Sequence, residues 1–173
     1  MSRLLDFYRG QANDVEGRFL KDIWTWDDDK LEAVHDFIQW LFPLPEPSQF
    51  NSDAPLLTEQ DIAAFKSDPI LQANLMKSYE RILGFLGLTL AAGGKVVEGA
   101  NFSARIPDVW AFPNHNWLRI TRILRCLTLL GMSAQAQALF DRLGAFYHGR
   151  RFPIPANTFR YWTEAVKIGK PTT

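Results

Sequence analysis

Asp68-Pro69 opens the stretch that most constrains what this chain can fold into. A capping carboxylate followed by a residue with no backbone N–H suits the first turn of a helix. From there Leu71, Leu75, Tyr79, Ile82 and Leu86 recur at helical spacing and form one apolar stripe. Gly87 then supplies a natural left-handed stop. The same punctuation returns along the chain. Asp27 caps a helix that Pro43 ends, and Thr58 with Asp61 reads as a capping box. Asn114 opens a helix reaching Gly131. Ser133 caps one that carries Leu139, Phe140, Leu143, Phe146 and Tyr147 up to Gly149. The last helix covers about 157–168, with Phe159, Trp162 and Val166 facing inward. Residues 43–57 and 88–113 are long connections, and VVEGANFSARI within the second has the composition of a short strand pair. The expectation is an all-α chain, one domain over 1–173, folded as a single bundle of about six or seven helices with two long loops.

Composition limits what such a bundle can do. Nineteen basic residues balance nineteen acidic ones, so no net field favours nucleic acid or an anionic membrane. The uncharged run ILGFLGLTLAAGG (82–94) contains four glycines and falls short of the roughly 20 residues that span a bilayer. No integral membrane segment is expected. The first residues, MSRLLDFYRGQAND, lack the apolar core and cleavage site of a secretory signal. A single cysteine, Cys126, suits a reducing compartment, so the expected location is cytoplasmic.

Two segments carry candidate site residues. In HDFIQWLFPLPEP (35–47), a continuous helix would place Leu31, Val34, Phe37, Ile38, Leu41 and Phe42 on one arc. Trp40 would then point almost opposite, either covered by the proline-rich loop or walling a ligand pocket. His35 lies at the margin of the stripe and reads more readily as a core histidine than as a ligand. Asp27-Asp28-Asp29 reads as acidic residues complementing a helix start rather than as a metal site. In NHNWLRITRILRCLTLLG (114–131), apolar residues occur all round the helix, so Arg119, Arg122 and Arg125 cannot all be freely solvated. They require acidic partners such as Glu32, Asp36 or Glu80, or an anionic group on a ligand. His115 between Asn114 and Asn116 belongs either to such a site or to a capping cluster. Catalytic signatures are missing: there is no G-x-S-x-G and no H-E-x-x-H, and GGKV (93–96) is not a phosphate loop. Cys126 reads as an inert buried thiol.

DFYRGQ (6–11), HDFIQWLFPLPEP (35–47), APLLT (54–58), YERILGFLGL (79–88) and NHNWLRITRILRCLTLLG (114–131) occur in an order and spacing that resembles the conserved domain of the opioid growth factor receptor family, over residues 6–145. Pro45 and Ser48 depart from the basic residue and glycine expected in vertebrate members. The resemblance is to a compact stand-alone member, of microbial or fungal type, without the acidic and repeat regions of animal receptors. It implies a receptor for an enkephalin-like pentapeptide, with signalling output and nuclear or membrane association.

The expected function is therefore a non-enzymatic, receptor-like binding domain with no cofactor and no metal. Its partner is a small peptide, an anionic small molecule or a protein, and not a nucleic acid; weak homo-oligomer formation is compatible. Trp40 is assigned as an aromatic wall. His35, Gln39, Asn114 and His115 are polar readers, and Arg119 and Arg122 form an anion clamp. The competing expectations are an enzyme with His35 or His115 as general base, and a scaffold using Trp26, Trp110 or the proline loop.

Overall fold

Helix α6 (Pro69–Phe85) begins where Asp68-Pro69 predicts, and Asp68 Oδ1 accepts the backbone N–H of Ile70 at 2.9 Å. The computed structural model describes residues 2–167. Among them are ten α-helices and one two-stranded antiparallel sheet. The mostly helical class is as expected, and the helix count is higher. The excess comes from short helices of four to six residues, α1 (Arg3–Tyr8), α2 (Leu20–Trp24), α4 (Ile38–Leu41) and α7 (Phe102–Arg105). None is long enough to display a repeating stripe. The chain divides into two compact units between Arg81 and Ile82, within α6.

The first unit holds α1 and α2, then α3 (Asp28–Ala33), α4, α5 (Glu59–Ser67) and most of α6. Asp27 caps α3 by accepting from Lys30 N at 2.8 Å. The Thr58–Asp61 box at α5 is reciprocal, with Thr58 N donating to Asp61 Oδ2 at 3.0 Å and Asp61 N to Thr58 Oγ1 at 3.1 Å. Phe7, Tyr8, Leu31, Phe37, Leu41, Phe42, Phe65 and Leu75 are fully buried. Tyr8 meets Phe65 edge-to-face at 4.8 Å and donates its hydroxyl to Leu41 O. Arg9 of the α1 C-cap pairs with Asp68 at 2.9 Å, tying α1 to the start of α6.

The continuous helix expected from Asp27 to Pro43 is absent. α3 ends at Ala33, Val34 is extended (φ −92°, ψ 131°), and α4 begins only at Ile38. Beyond the break, Phe37, Ile38, Gln39, Trp40, Leu41 and Phe42 are all buried, around the single turn of α4. Competing polar bonds take over the backbone at the break, as the site geometry below shows.

In the second unit, β1 (Leu88–Leu90) pairs with β2 (Val96–Glu98) with Leu88 opposite Glu98. The strand pair is thus drawn from residues before and within the predicted segment, whose remainder turns helical as α7. A π-helical turn (Ile106–Trp110) follows. α8 (His115–Leu129) packs against both α9 (Ser133–His148) and α10 (Ala156–Ala165). Of the last predicted helix, residue 168 lies outside the described residues. Trp110 is fully buried and donates to Leu86 O at 2.9 Å, so it offers no protein interface. Trp26 is only half-buried, flanked by the Phe37 ring and the Lys30 ammonium.

Gly87 has φ +77°, and a Cβ there would meet Phe102 Cα at 2.8 Å. Gly87→Ala should therefore cost more than the about 1–2 kcal/mol of a left-handed side chain alone, read as a lower urea midpoint; an unchanged midpoint contradicts this packing. The Arg9 hydrogen bond is the largest cause holding the Asp68 carboxyl below its ordinary value. The Arg9–Asp68 contribution is accordingly present above the unfolded carboxyl's pKa and lost as pH falls through the lower folded one. In an NMR titration, Arg9→Gln should move the Asp68 midpoint upward.

Candidate functional site

In the first unit a chain of polar bonds runs from α1 through the 13–18 loop to the break after α3. Arg3 donates to Asn13 O at 3.2 Å and to Asp14 O at 3.0 Å. Asp14, 1% exposed, accepts the backbone N–H groups of Glu16 and Arg18 at 3.0 and 2.9 Å. Its other oxygen takes Arg18 Nε at 2.6 Å, while Arg18 NH1 reaches Asp36 Oδ1 at 2.7 Å. Burial works to lower the Arg18 pKa, but the bonds to Asp36 and Asp14 outweigh it and the group ends above its ordinary value. Asp36, considered in the sequence as a partner for the α8 arginines, thus belongs to Arg18.

Gln39 is buried at 5% exposure. With its amide nitrogen turned to the main chain, it donates to the carbonyls of Asp36 and His35 at 3.1 and 3.3 Å. Asn51 Nδ2 lies 3.4 Å from the same Asp36 carbonyl. Side-chain donors here replace the helical bonds that residues 34–37 give up. Gln39 is therefore spent on holding the break. His35 is exposed, contrary to the core position expected, because the break carries it off the buried stripe.

The same break turns Trp40 inward. It is 2% exposed, not opposite an apolar face, and is covered by α1: the Phe7 ring lies 5.2 Å away edge-to-face and the Arg3 guanidinium 5.9 Å from its centroid. Among the described residues of this unit, three buried polar atoms have no hydrogen-bond partner: Trp40 Nε1, Arg18 NH2 and Asp6 Oδ1. Asp6 precedes Phe7, whose ring lies against Trp40, and Arg18 and Arg3 both bond Asp14. Asp6 and Arg18 escape a sequence reading because nothing in DFYRGQ or DVEGR marks which oxygen or nitrogen stays unpaired.

The remaining predicted residues lie in the second unit, along α8. Asn114 is its N-cap, accepting from Asn116 N at 2.9 Å and donating to Phe112 O and Val109 O at 2.6 and 3.1 Å. His115 is exposed at the first helical position. Arg119 is 6% exposed and donates to Asn116 Oδ1 at 3.2 Å, its guanidinium 5.8 Å from the Phe85 ring. Arg105, which the sequence did not single out, shares that ring at 4.7 Å and donates to Phe85 O and Asp108, both at 2.8 Å. Arg122 and Arg125 are half-buried, and burial lowers the pKa of both. The expectation that these arginines are not all freely solvated therefore holds. Burial raises the pKa of the Cys126 thiol, the opposite of what a nucleophile needs.

The chain is mostly helical, and its buried polar groups serve backbone breaks and caps. The chain belongs to the opioid growth factor receptor conserved-region family, whose pattern matches residues 3–167. The opioid growth factor receptor of Homo sapiens is 42% identical over 135 residues, 74% of this chain and 20% of that protein. The Rattus norvegicus receptor is 40% identical over 134 residues, 74% of this chain and 23% of its own length. Opioid growth factor receptor-like protein 1 of Mus musculus is 36% identical over 132 residues, 73% of this chain and 28% of its own. The chain thus spans between a fifth and a third of these relatives. No solved structure matches it.

Arg18→Met removes the partner of a carboxylate whose side chain is wholly buried. It should destabilise by about 3–5 kcal/mol in chemical denaturation. Adding Asp14→Asn should recover part of the loss; no recovery would mean that Arg18 acts through packing alone.

Proposed function

We propose that the chain is a non-enzymatic, receptor-like binding domain whose first unit takes up a short peptide or an anionic small molecule at Trp40. One observation carries this reading. Trp24, Trp110, Trp117 and Trp162 each donate the indole N–H to a protein acceptor, whereas the buried Trp40 N–H has none. Leaving such a donor unmet costs about 1–3 kcal/mol, which an acceptor on a ligand recovers. Arg18 NH2 offers a second, charged donor and Asp6 Oδ1 a carboxylate acceptor. A peptide with free termini supplies a carboxylate for one and an ammonium for the other. The relatives' printed name, opioid growth factor receptor, agrees with a peptide ligand, and the family resemblance makes an enkephalin-like pentapeptide the first to try.

His35 belongs to this reading as an exposed polar group beside the break. Asn114, His115, Arg119 and Arg122 belong to the second unit and are left to anion recognition there. Signalling output and a cytoplasmic setting remain part of the proposal. Among the described residues no helix is long and apolar enough to cross a membrane. A scaffold role has one observation in its favour: the proline loop exposes Phe50 at 83% and Leu56 at 50%. The general-base alternative finds both imidazoles exposed, but the relatives' receptor names weigh against it.

Trp40→Phe tests the site directly, because it removes the N–H while retaining an aromatic ring. Removing an unmet donor offsets much of the lost packing, so the melting temperature should move by only a few degrees. The wild-type protein should be stabilised by the free-terminus pentapeptide in a thermal-shift assay. The variant should not respond, and blocking the peptide's amine or carboxylate should weaken binding. Equal responses from the two proteins, or none from wild type across peptides and anions, would contradict the proposal.

A further inference from the structure

Trp40 is 2% exposed, so a ligand acceptor reaches its N–H only after something above the ring moves. Two groups that cover it come from α1: the Phe7 ring at 5.2 Å and the Arg3 guanidinium at 5.9 Å. Which end of α1 moves is decided by how each end is held.

The C-terminal end is fixed. The Asp6 carbonyl accepts the N–H groups of Gln11 and Ala12 at 2.8 and 3.2 Å. Asn74 Nδ2 donates to Tyr8 O at 2.6 Å, and the Tyr8 hydroxyl donates to Leu41 O. Arg9 adds its ion pair to Asp68 at 2.9 Å, and the Phe7 and Tyr8 side chains are fully buried.

The first turn has fewer ties. A helix start leaves backbone N–H groups without an intrahelical acceptor, and the Ser2 side chain caps none of them. Of residues 3–6 only Leu4 is buried; Arg3 is exposed, and Leu5 and Asp6 are half-buried. Among the described residues, the side-chain hydrogen bonds of this turn all come from Arg3. Its Nε donates to Asn13 O at 3.2 Å, and its NH2 to Asn13 Oδ1 at 3.3 Å and to Asp14 O at 3.0 Å. The receiving loop is itself rigid, because the Asp14 carboxylate is spent on Glu16, Arg18 and the Arg18 side chain. A turn with one buried side chain and solvent-side hydrogen bonds opens far more readily than the whole unit unfolds.

We propose that the first turn of α1 is a gate over Trp40, latched by Arg3 to the backbone of residues 13 and 14. The inference rests on the Trp40 ligand reading and adds how the ligand enters. The open form is the binding-competent one, and the latch weakens apparent affinity in proportion to the fraction of molecules it keeps closed. Arg3 is thus a positioning residue whose loss strengthens binding. A purely structural arginine has the opposite sign, since its loss would lower stability and affinity together.

The test reads Trp40 indole N–H exchange by NMR without ligand, and the Kd of the free-terminus pentapeptide by calorimetry. Arg3→Gln should speed Trp40 exchange about tenfold, the worth of one net hydrogen bond, and lower the Kd by a similar factor. Low urea should hardly alter either protein's Trp40 rate, because a local opening exposes little surface. Asn13→Asp turns the Oδ1 contact into an ion pair, so it should slow exchange and weaken binding by about two- to fivefold. Both effects should vanish in the Arg3→Gln background. Exchange that neither substitution changes overturns the latch. Faster exchange in Arg3→Gln with unchanged or weaker binding overturns the gate. A pentapeptide that binds none of these proteins overturns the ligand reading instead, and exchange alone then decides the latch.

Discussion

The break between Ala33 and Ile38 is the constraint on which the first unit depends. Past it, the six consecutive buried side chains from Phe37 to Phe42 surround the single turn of α4. Breaking a helix exposes carbonyls, and those of His35 and Asp36 are met by Gln39 and Asn51. The position of the break is fixed from outside by Arg18, which clamps the Asp36 carboxylate while anchored to buried Asp14. One guanidinium thus converts a greasy run into a turned element and places Trp40 against α1. The residual unpaired nitrogen on Arg18 follows from that geometry, because a fork aimed at two carboxylates on different segments leaves its third nitrogen over.

The second unit uses the same material differently. Phe85 receives two guanidinium groups, Arg105 and Arg119, and each is also tied by hydrogen bonds within the unit. Arginine tolerates this setting because its flat, weakly hydrated head stacks on a ring while its N–H groups reach carbonyls. Arginines on a buried helix therefore read first as structural parts, and Arg119 is one. Arg150 and Arg151 after α9, by contrast, are exposed.

Most helix caps were legible because they are local chemistry: Asp27, Thr58 with Asp61, Asp68 and Asn114 each accept the N–H that their position predicts, whereas Ser133 is the first residue of α9 and Met132 its N-cap. Family membership was legible through long strings such as IQWLFPL and RITRIL. The break was not, since Val34 and His35 carry no glycine or proline and their backbone is decided by Arg18, eighteen residues before Asp36. From that single miss came two others, an exposed His35 and an inward Trp40. Trp110 was misread as a surface residue because nothing in IPDVW announces that Leu86 O accepts its N–H.

The central claim is that a long-range polar clamp buries Trp40 with its donor unspent. Indole N–H resonances of the six tryptophans report on this in one spectrum. The Trp40 signal should exchange slowly with solvent and should move most when a peptide ligand is titrated, while those of Trp110, Trp117 and Trp162 stay in place. A rapidly exchanging Trp40 N–H, or one that stays still while the others shift, would contradict the account.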